Sequence, residues 1–341
     1  MEPFARRSIE RARTSESAPS DPDGLPWAQP RIAVLIPCFN EAASIDTVVR
    51  GFQAAVPEAA VYVYDNNSTD HTASIAAIAG ATVRKEPLQG KGNVVRRMFA
   101  DIEADIYVMV DGDSTYDPAC APAMIRLLLA ENLDMVVATR TAAEEAAYRS
   151  GHRFGNRLLT KAVAHLFGNR FSDMLSGYRV FSRRFVKSFP AMSSGFETET
   201  ELTIHALELA LPVAEIPTPY SVRAQGSMSK LQTYKDGLRI LRLILVLYKN
   251  ERPLRFFSLI AAVLGAVALL LGVPLFVTFA QTGLVPRQPT AILATGLVLL
   301  SALSFVTGLI LDTVTRGRRE VRRLAYLSIK APEASHQRFS R

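Results

Sequence analysis

Asp111-Gly112-Asp113 closes the apolar run Ile106-Tyr107-Val108-Met109-Val110. Residues this rich in β-prone side chains read as a buried strand of a parallel sheet, with the chain turning at Gly112. Ligands of open α/β sheets bind beyond the carboxyl ends of the strands. Two carboxylates two positions apart in extended chain point the same way, and the glycine between them lets a ligand approach the backbone. Such a pair suits a hard divalent cation and, through it, a diphosphate. Asp and Gly are also ordinary turn residues, so a surface turn is the competing reading.

Other loops carry polar residues that packing does not require. Pro37-Cys38-Phe39-Asn40-Glu41 follows a first strand, and Asp65-Asn66-Asn67-Ser68-Thr69-Asp70 follows a second. Gly90-Lys91-Gly92 opens a helix. Asp65 could accept hydrogen bonds from a base, and Lys91 beside a helix N-terminus could meet phosphate, although a solvated turn lysine reads the same way. No Gly-x-Gly-x-x-Gly follows the first strand and no Walker A motif is present, which argues against a dehydrogenase or a P-loop ATPase. Glu197, Glu199 and Glu201 either face a ligand or form the acidic first turn of a helix running to Ala210. His71, His152, His165, His205 and His336 show no ligand spacing and read as surface or packing residues.

The elements that must position these groups alternate. Strands are expected at 32–36, 61–64, 81–84, 106–110 and 135–139, and helices at 42–55, from an Asp70 cap to 79, after Gly90, and from an Asp117 cap to about Asn132. Gly80 would close the second helix. This β-α order predicts an α/β fold, a mostly parallel sheet with helices on both faces.

The chain has 341 residues, 49% of them hydrophobic, and a net charge of +7. The apolar excess lies in the C-terminal third. Residues 256–280 and 291–313 are uncharged until Asp312, and each reaches the roughly 20 residues that span a bilayer. Arg239, Arg242, Lys249, Arg252 and Arg255 flank one side and Arg316, Arg318, Arg319, Arg322 and Arg323 the other, which puts both ends in the cytoplasm by the positive-inside rule. Cations beside apolar segments, without interleaved aromatics, fit an anionic membrane face and not nucleic acid. Leu238, Leu241, Leu245 and Tyr248 recur at helical spacing among cations, as in a helix lying in the membrane interface; a core-packed amphipathic helix would look similar. Cys38 and Cys120 read as reduced thiols of a cytosolic domain. Residues 1–30 show no signal-peptide core and read as a disordered tail.

The loop series, continued by Ser176-Gly177-Tyr178-Arg179 and by Arg223 with Gly226-Ser227-Met228-Ser229-Lys230, resembles family 2 glycosyltransferases of the GT-A fold. With the hairpin, the chain is most similar to the polyprenyl-phosphate glycosyltransferases. The resemblance implies that Pro37, Phe39, Glu41, Asp65, Asn66, Lys91 and Gly112 meet a nucleotide-sugar, UDP- or GDP-linked. It implies that Asp111 and Asp113 bind Mg²⁺ or Mn²⁺. Arg140 would hold phosphate, Arg179, Glu199, Arg223, Ser229 and Lys230 would face phosphate or acceptor, and Asp173 matches a position proposed as a base. The implied reaction is inverting, metal-dependent sugar transfer to a polyprenyl phosphate at the cytoplasmic face of the cell inner membrane.

Three residues depart from the family's pattern. Asn66 stands where many relatives carry a second Asp, Thr115 replaces a metal-binding Gln of mannose synthases, and the segment from Arg223 to Lys230 is one residue longer than usual. The expected units are a tail at 1–30, a GT-A domain at 31–230, a juxtamembrane amphipathic helix at 231–255, a transmembrane hairpin at 256–315 and a basic tail at 316–341. A processive polysaccharide synthase is disfavoured, because its Gln-x-x-Arg-Trp is missing and the only Trp is Trp27. A non-catalytic scaffold is disfavoured by the intact acidic pair. A homo-oligomer formed through the membrane helices is left open.

Overall fold

A computed structural model describes residues 30–142, 171–193, 195, 197–221, 242 and 245–330. Among these residues seven strands form one sheet: β1 (Ile32–Cys38), β2 (Ala60–Asp65), β3 (Thr82–Lys85), β4 (Ile106–Met109), β5 (Met135–Ala142), β6 (Arg179–Ser182) and β7 (Val213–Tyr220), in the order β3-β2-β1-β4-β6-β5-β7. β1 pairs in parallel with β2 and β4, as β2 does with β3 and β5 with β7. Only β6 runs antiparallel, between β4 and β5. The expectation of a mostly parallel sheet therefore holds, with one reversed strand inserted at its centre.

Both faces are covered. Ile32, Val34 and Ile36 of β1 pack with α1 (Ile45–Ala55), α2 (Thr72–Ile78) and α4 (Ala121–Ala130), while Ala33 and Leu35 pack with α3 (Lys91–Asp101), α5 (Arg183–Ser188) and α6 (Thr198–Glu208). Alternating side chains of a single strand thus enter two cores, which explains the unbroken apolar runs. Asp117 caps the turn before α4 by accepting from the Ala119 amide at 2.9 Å, and Gly80 ends α2 with φ +95°. The residue preceding α2 is His71, not Asp70. Asp70 instead accepts from the Thr72 amide and hydroxyl and from the Ala42 amide, tying the loops after β1 and β2 together.

α7 (Pro253–Thr282) and α8 (Gln288–Leu327) form an antiparallel hairpin, with mean hydropathy 2.7 and 2.1 in their most apolar windows. Both are long and apolar enough to cross a membrane. Close packing is secured where Ser301 donates to the Ala261 carbonyl at 2.7 Å and Gly308 faces Leu254 and Phe257. Residues 316–327, expected as the start of a basic tail, continue α8 without a break. Within the juxtamembrane segment the helical stretch 245–251 exposes Leu245 and Val246 but buries Leu247 in the α3–α5 core.

Candidate active site

The parallel register brings the carboxyl ends of β1, β2 and β4 to one edge. Cys38 lies opposite Asp65, the Asn66 amide donates to the Cys38 carbonyl at 2.9 Å, and the Val110 amide to the Leu35 carbonyl at 3.1 Å. Side chains then stitch the loops. Asn40 receives the Thr69 amide at 2.8 Å, the Asn40 amide donates to Ser68 at 2.9 Å, and the Glu41 amide donates to the Thr72 hydroxyl at 2.8 Å. The Ser44 hydroxyl donates to the Gly112 carbonyl at 2.7 Å, anchoring the acidic turn to the start of α1. Asn40, Asn67 and Ser114 hold left-handed φ of 54°, 64° and 60° here, the kind of strain that persists only where surroundings enforce it.

Residues 112–113 turn instead of staying extended, so alternation does not set the two carboxylates. Asp111 meets the Lys91 ammonium at 2.5 Å, and Lys91 also pairs with Glu199. Burial pulls the Lys91 pKa down, but the carboxylates of Asp111 and Glu199 outweigh it and hold the ammonium above the usual lysine range. Asp113 is 4% exposed, and one oxygen accepts the Thr115 amide and, at 2.6 Å, its hydroxyl. Gly177 lies directly against the Asp111 carboxylate, where any Cβ would collide with it. That glycine is delivered by the buried Tyr116, whose phenol oxygen accepts the Gly177 amide at 2.9 Å.

The donor set fits a hard divalent ion. It offers two carboxylates at a strand end, and no group of three His, Cys, Asp or Glu stands together among the described residues. Magnesium-class ions are commonly held in this way, by one or two carboxylates with the remaining positions taken by substrate phosphate and water.

Arg140 and Asp173 meet each other. Nε and Nη2 of Arg140 donate to both Asp173 oxygens at 2.7 Å, and the guanidinium lies 5.6 Å from the Tyr220 ring centre. Asn66, expected at the base, spends its amide on the loop before α3: Nδ2 donates to the Glu86 and Leu88 carbonyls, and Oδ1 accepts from Gly90. Arg179 is a correction. It is wholly buried, with its guanidinium on the carbonyls of Ser176 and Met174 and on the Thr203 hydroxyl. Burial lowers its pKa, with Glu199 and Asp173 opposing. It fixes the turn that carries Gly177 instead of reaching a ligand. Asp65 is 3% exposed and accepts the Ser68 amide at 3.3 Å; Pro37, Phe39 and Glu41 are half-buried along the same edge. Of the three glutamates, Glu201 caps the Met192–Ser193 backbone and Glu199 pairs with Lys91, which also holds Asp111. Arg223, Ser229 and Lys230 lie outside the described residues.

Sequence reasoning passed over Ser44, Tyr116 and Gly177 as site residues. For Gly177 a signal existed, since Ser-Gly-Tyr-Arg was noted as a motif. For Ser44 and Tyr116 there was none, because their partners lie about 60 or more residues away.

This sheet, with its acidic turn at the central strand and a hairpin after the domain, is a GT-A-like architecture. The family model "Glycosyl transferase family 2" matches residues 33–189. Glycosyltransferase AglJ of Haloferax volcanii is 34% identical over 250 residues, covering 73% of this chain and 81% of that protein. A dolichyl-phosphate hexose transferase of the same organism is 25% identical, covering 65% and 95%. The crystal structure of Mycobacterium tuberculosis glucosyl-3-phosphoglycerate synthase with Mn²⁺, UDP and glucosyl-3-phosphoglycerate aligns with TM-score 0.53 at 26% identity, covering 65% of this chain and 80% of that one. The chain belongs to glycosyl transferase family 2, and it is a glycosyltransferase.

Proposed function

We propose that this glycosyltransferase moves a sugar from a UDP- or GDP-linked donor to a polyprenyl phosphate, with inversion, at the cytoplasmic face of the inner membrane. The observation that carries this reading is an acidic diphosphate-type turn, Asp111-Gly112-Asp113, in the same chain as a membrane-length hairpin. A lipid-bound acceptor explains the hairpin and a nucleotide-linked donor the turn; the dolichyl-phosphate relative supports the first and the Mn²⁺–UDP complex of the structural neighbour the second. The catalytic unit would be residues 31–230, joined through 231–255 to the hairpin. Arginines at 252, 255, 316, 318 and 319 mark the cytoplasmic side.

Asp111 and Asp113 would hold Mg²⁺ or Mn²⁺, which supplies charge neutralisation for the departing nucleoside diphosphate when bound. Lys91 stands beside them at the start of α3, able to turn from Asp111 to a phosphate oxygen. Asp65, Glu41, Phe39 and Pro37 line the edge on which base and ribose would rest, with Asn66 shaping the loop beneath. An acceptor phosphate is already anionic at neutral pH. One of its oxygens attacks the anomeric carbon as the bond from that carbon to the diphosphate breaks, so no proton need be removed and an α-linked donor gives a β-linked product. Catalysis then rests on alignment and charge. Asp173, bound at both oxygens by Arg140, serves best to orient that guanidinium toward phosphate. Arg223, Ser229 and Lys230 remain candidate acceptor contacts.

The test is transfer by purified protein from a panel of UDP- and GDP-sugars to undecaprenyl phosphate, with Mg²⁺ or Mn²⁺. Lipid-linked sugar from one donor, lost in Asp113→Asn, is expected. Intact donor binding without product from any donor would overturn the acceptor assignment.

A further inference from the structure

α8 is longer than a bilayer needs. From Asp312 to Leu327 it runs on for roughly 24 Å at about 1.5 Å per residue, beyond the apolar stretch. Thr315, Arg319, Arg322 and Tyr326 recur at intervals of four, three and four, which puts them on one helical face. Every one of them is engaged. Thr315 donates to the Asn250 carbonyl at 3.2 Å, and Arg319 to the carbonyl and carboxylate of Glu251 at 3.0 and 2.9 Å. Arg322 pairs with Glu208, and the Tyr326 phenol donates to Asp134 at 2.8 Å beneath the Arg184 guanidinium.

Glu208 is the last residue of α6, and its side chain is 2% exposed. The same 11-residue helix carries Glu199 in its first turn, paired through Lys91 to Asp111. One short helix thus joins the acidic turn at one end to the membrane hairpin at the other. Burial, and then the Glu251 carboxylate alongside, raise the Glu208 pKa, while Arg322 and Arg319 pull the other way. Without the two arginines, both buried carboxylates would stand uncompensated, so the arm has a strong reason to remain seated.

We propose that residues 312–327 of α8 form a docking arm that fixes the catalytic edge at a set height and tilt over the bilayer, with Arg319 and Arg322 as positioning residues for a membrane-embedded acceptor. A lipid phosphate is confined to the headgroup plane, so a domain that rocks on its hairpin meets it in the wrong geometry. A soluble acceptor carries no such constraint. The proposal rests on the lipid-acceptor reading above.

The experiment reconstitutes the full chain in vesicles of phosphatidylethanolamine and phosphatidylglycerol and compares two acceptors, long-chain polyprenyl phosphate in the bilayer and a short water-soluble prenyl phosphate. In Arg319→Ala/Arg322→Ala, transfer to the embedded acceptor is expected to fall roughly tenfold to a hundredfold, while donor KM and transfer to the soluble acceptor stay within about twofold. Arg319→Lys/Arg322→Lys, which keeps both charges, is expected to recover most of the loss. Tyr326→Phe, a milder change, should fall in the same direction. An equal loss with both acceptors, or no loss with either, overturns the proposal. Should the wild type transfer to neither acceptor, the lipid reading fails. The arm is then decided by a substrate-free measurement: quenching by labelled headgroups of a fluorophore on Ile78→Cys, a site 79% exposed, in a Cys120→Ser background. A single narrow height in the wild type that broadens in the double alanine variant supports the arm, and identical distributions overturn it.

Discussion

Two buried clusters of opposite charges sit at the two ends of α6, and they are composed differently. At the sheet edge the Lys91 ammonium stands between Asp111 and Glu199, with Asp113 close in sequence. Beneath the hairpin two arginines, Arg319 and Arg322, face two glutamates, Glu208 and Glu251. The second cluster is closed off from solvent, with the Glu208 and Glu251 side chains 2% and 9% exposed. The first shares one ammonium between two carboxylates and leaves Asp111 30% exposed. A carboxylate left partly open at a strand end can still meet a cation from solution, whereas a cluster closed between helices holds them together.

Equivalent neutral substitutions break the comparison most sharply. Asp111→Asn is expected to cut transfer roughly 10²- to 10³-fold and to abolish its metal dependence, read from kcat/KM across a Mn²⁺ titration. Glu208→Gln should leave turnover on a soluble acceptor unchanged, because that end of α6 holds position only. If the two behaved alike, the distinction would collapse.

Lys91→Met removes the ammonium that Asp111 and Glu199 share. A destabilisation of about 3 kcal/mol is expected, seen as a lowered denaturation midpoint, and added Mn²⁺ should restore part of it. Gly177→Ala sharpens the same point through shape alone. Its methyl group displaces the Asp111 carboxylate, and apparent metal affinity should fall roughly 10- to 100-fold at little cost to donor-independent folding, measured by metal titration and thermal melting.

The smallest effect concerns His205, packed edge-on to Phe185 and Phe189 with Nε2 3.2 Å from the Ser188 hydroxyl. Burial first, and Arg322 second, depress its pKa from 6.5 to about 3. The folded state therefore resists a proton that the unfolded chain accepts. Stability is full above pH 6.5 and is lost as pH falls toward 3, with a slope of at most about 1.4 kcal/mol per pH unit. His205→Phe should flatten that slope in urea titrations; an unchanged slope would assign it to other groups.

Much of this could be read from residue types and order. The β-α alternation gave the parallel half of the sheet, and Gly80, Asp117 and Pro118 gave helix ends, because caps and apolar periodicity act within a few residues. The length of the two apolar runs gave the hairpin, since a bilayer imposes a length and not a partner. β6 and β7 were not anticipated. Arg179–Ser182 is too short to show a period, and Val213–Tyr220 carries Pro217 and Pro219, admitted only because β7 is held on one side by β5.

The site divides in the same way. That Asp111, Asp113, Lys91 and Asp65 gather at one sheet edge was legible, because a parallel α/β order brings the loops after successive strands together there. Side-chain partners decided the rest. The pairing of Lys91 with Glu199 spans 108 positions, Arg140 is bound to Asp173 across 33, and Arg179 looks like a ligand-binding cation until its burial is known. The arm of α8 is the clearest case. Its arginines match a membrane-flanking tail in composition, and only the fold supplies Glu208 and Glu251 opposite them. Local sequence fixes what each residue can offer as a donor, an acceptor, a charge or an apolar face; which of these are consumed internally and which are left for a ligand depends on neighbours that only the folded chain brings within hydrogen-bonding distance.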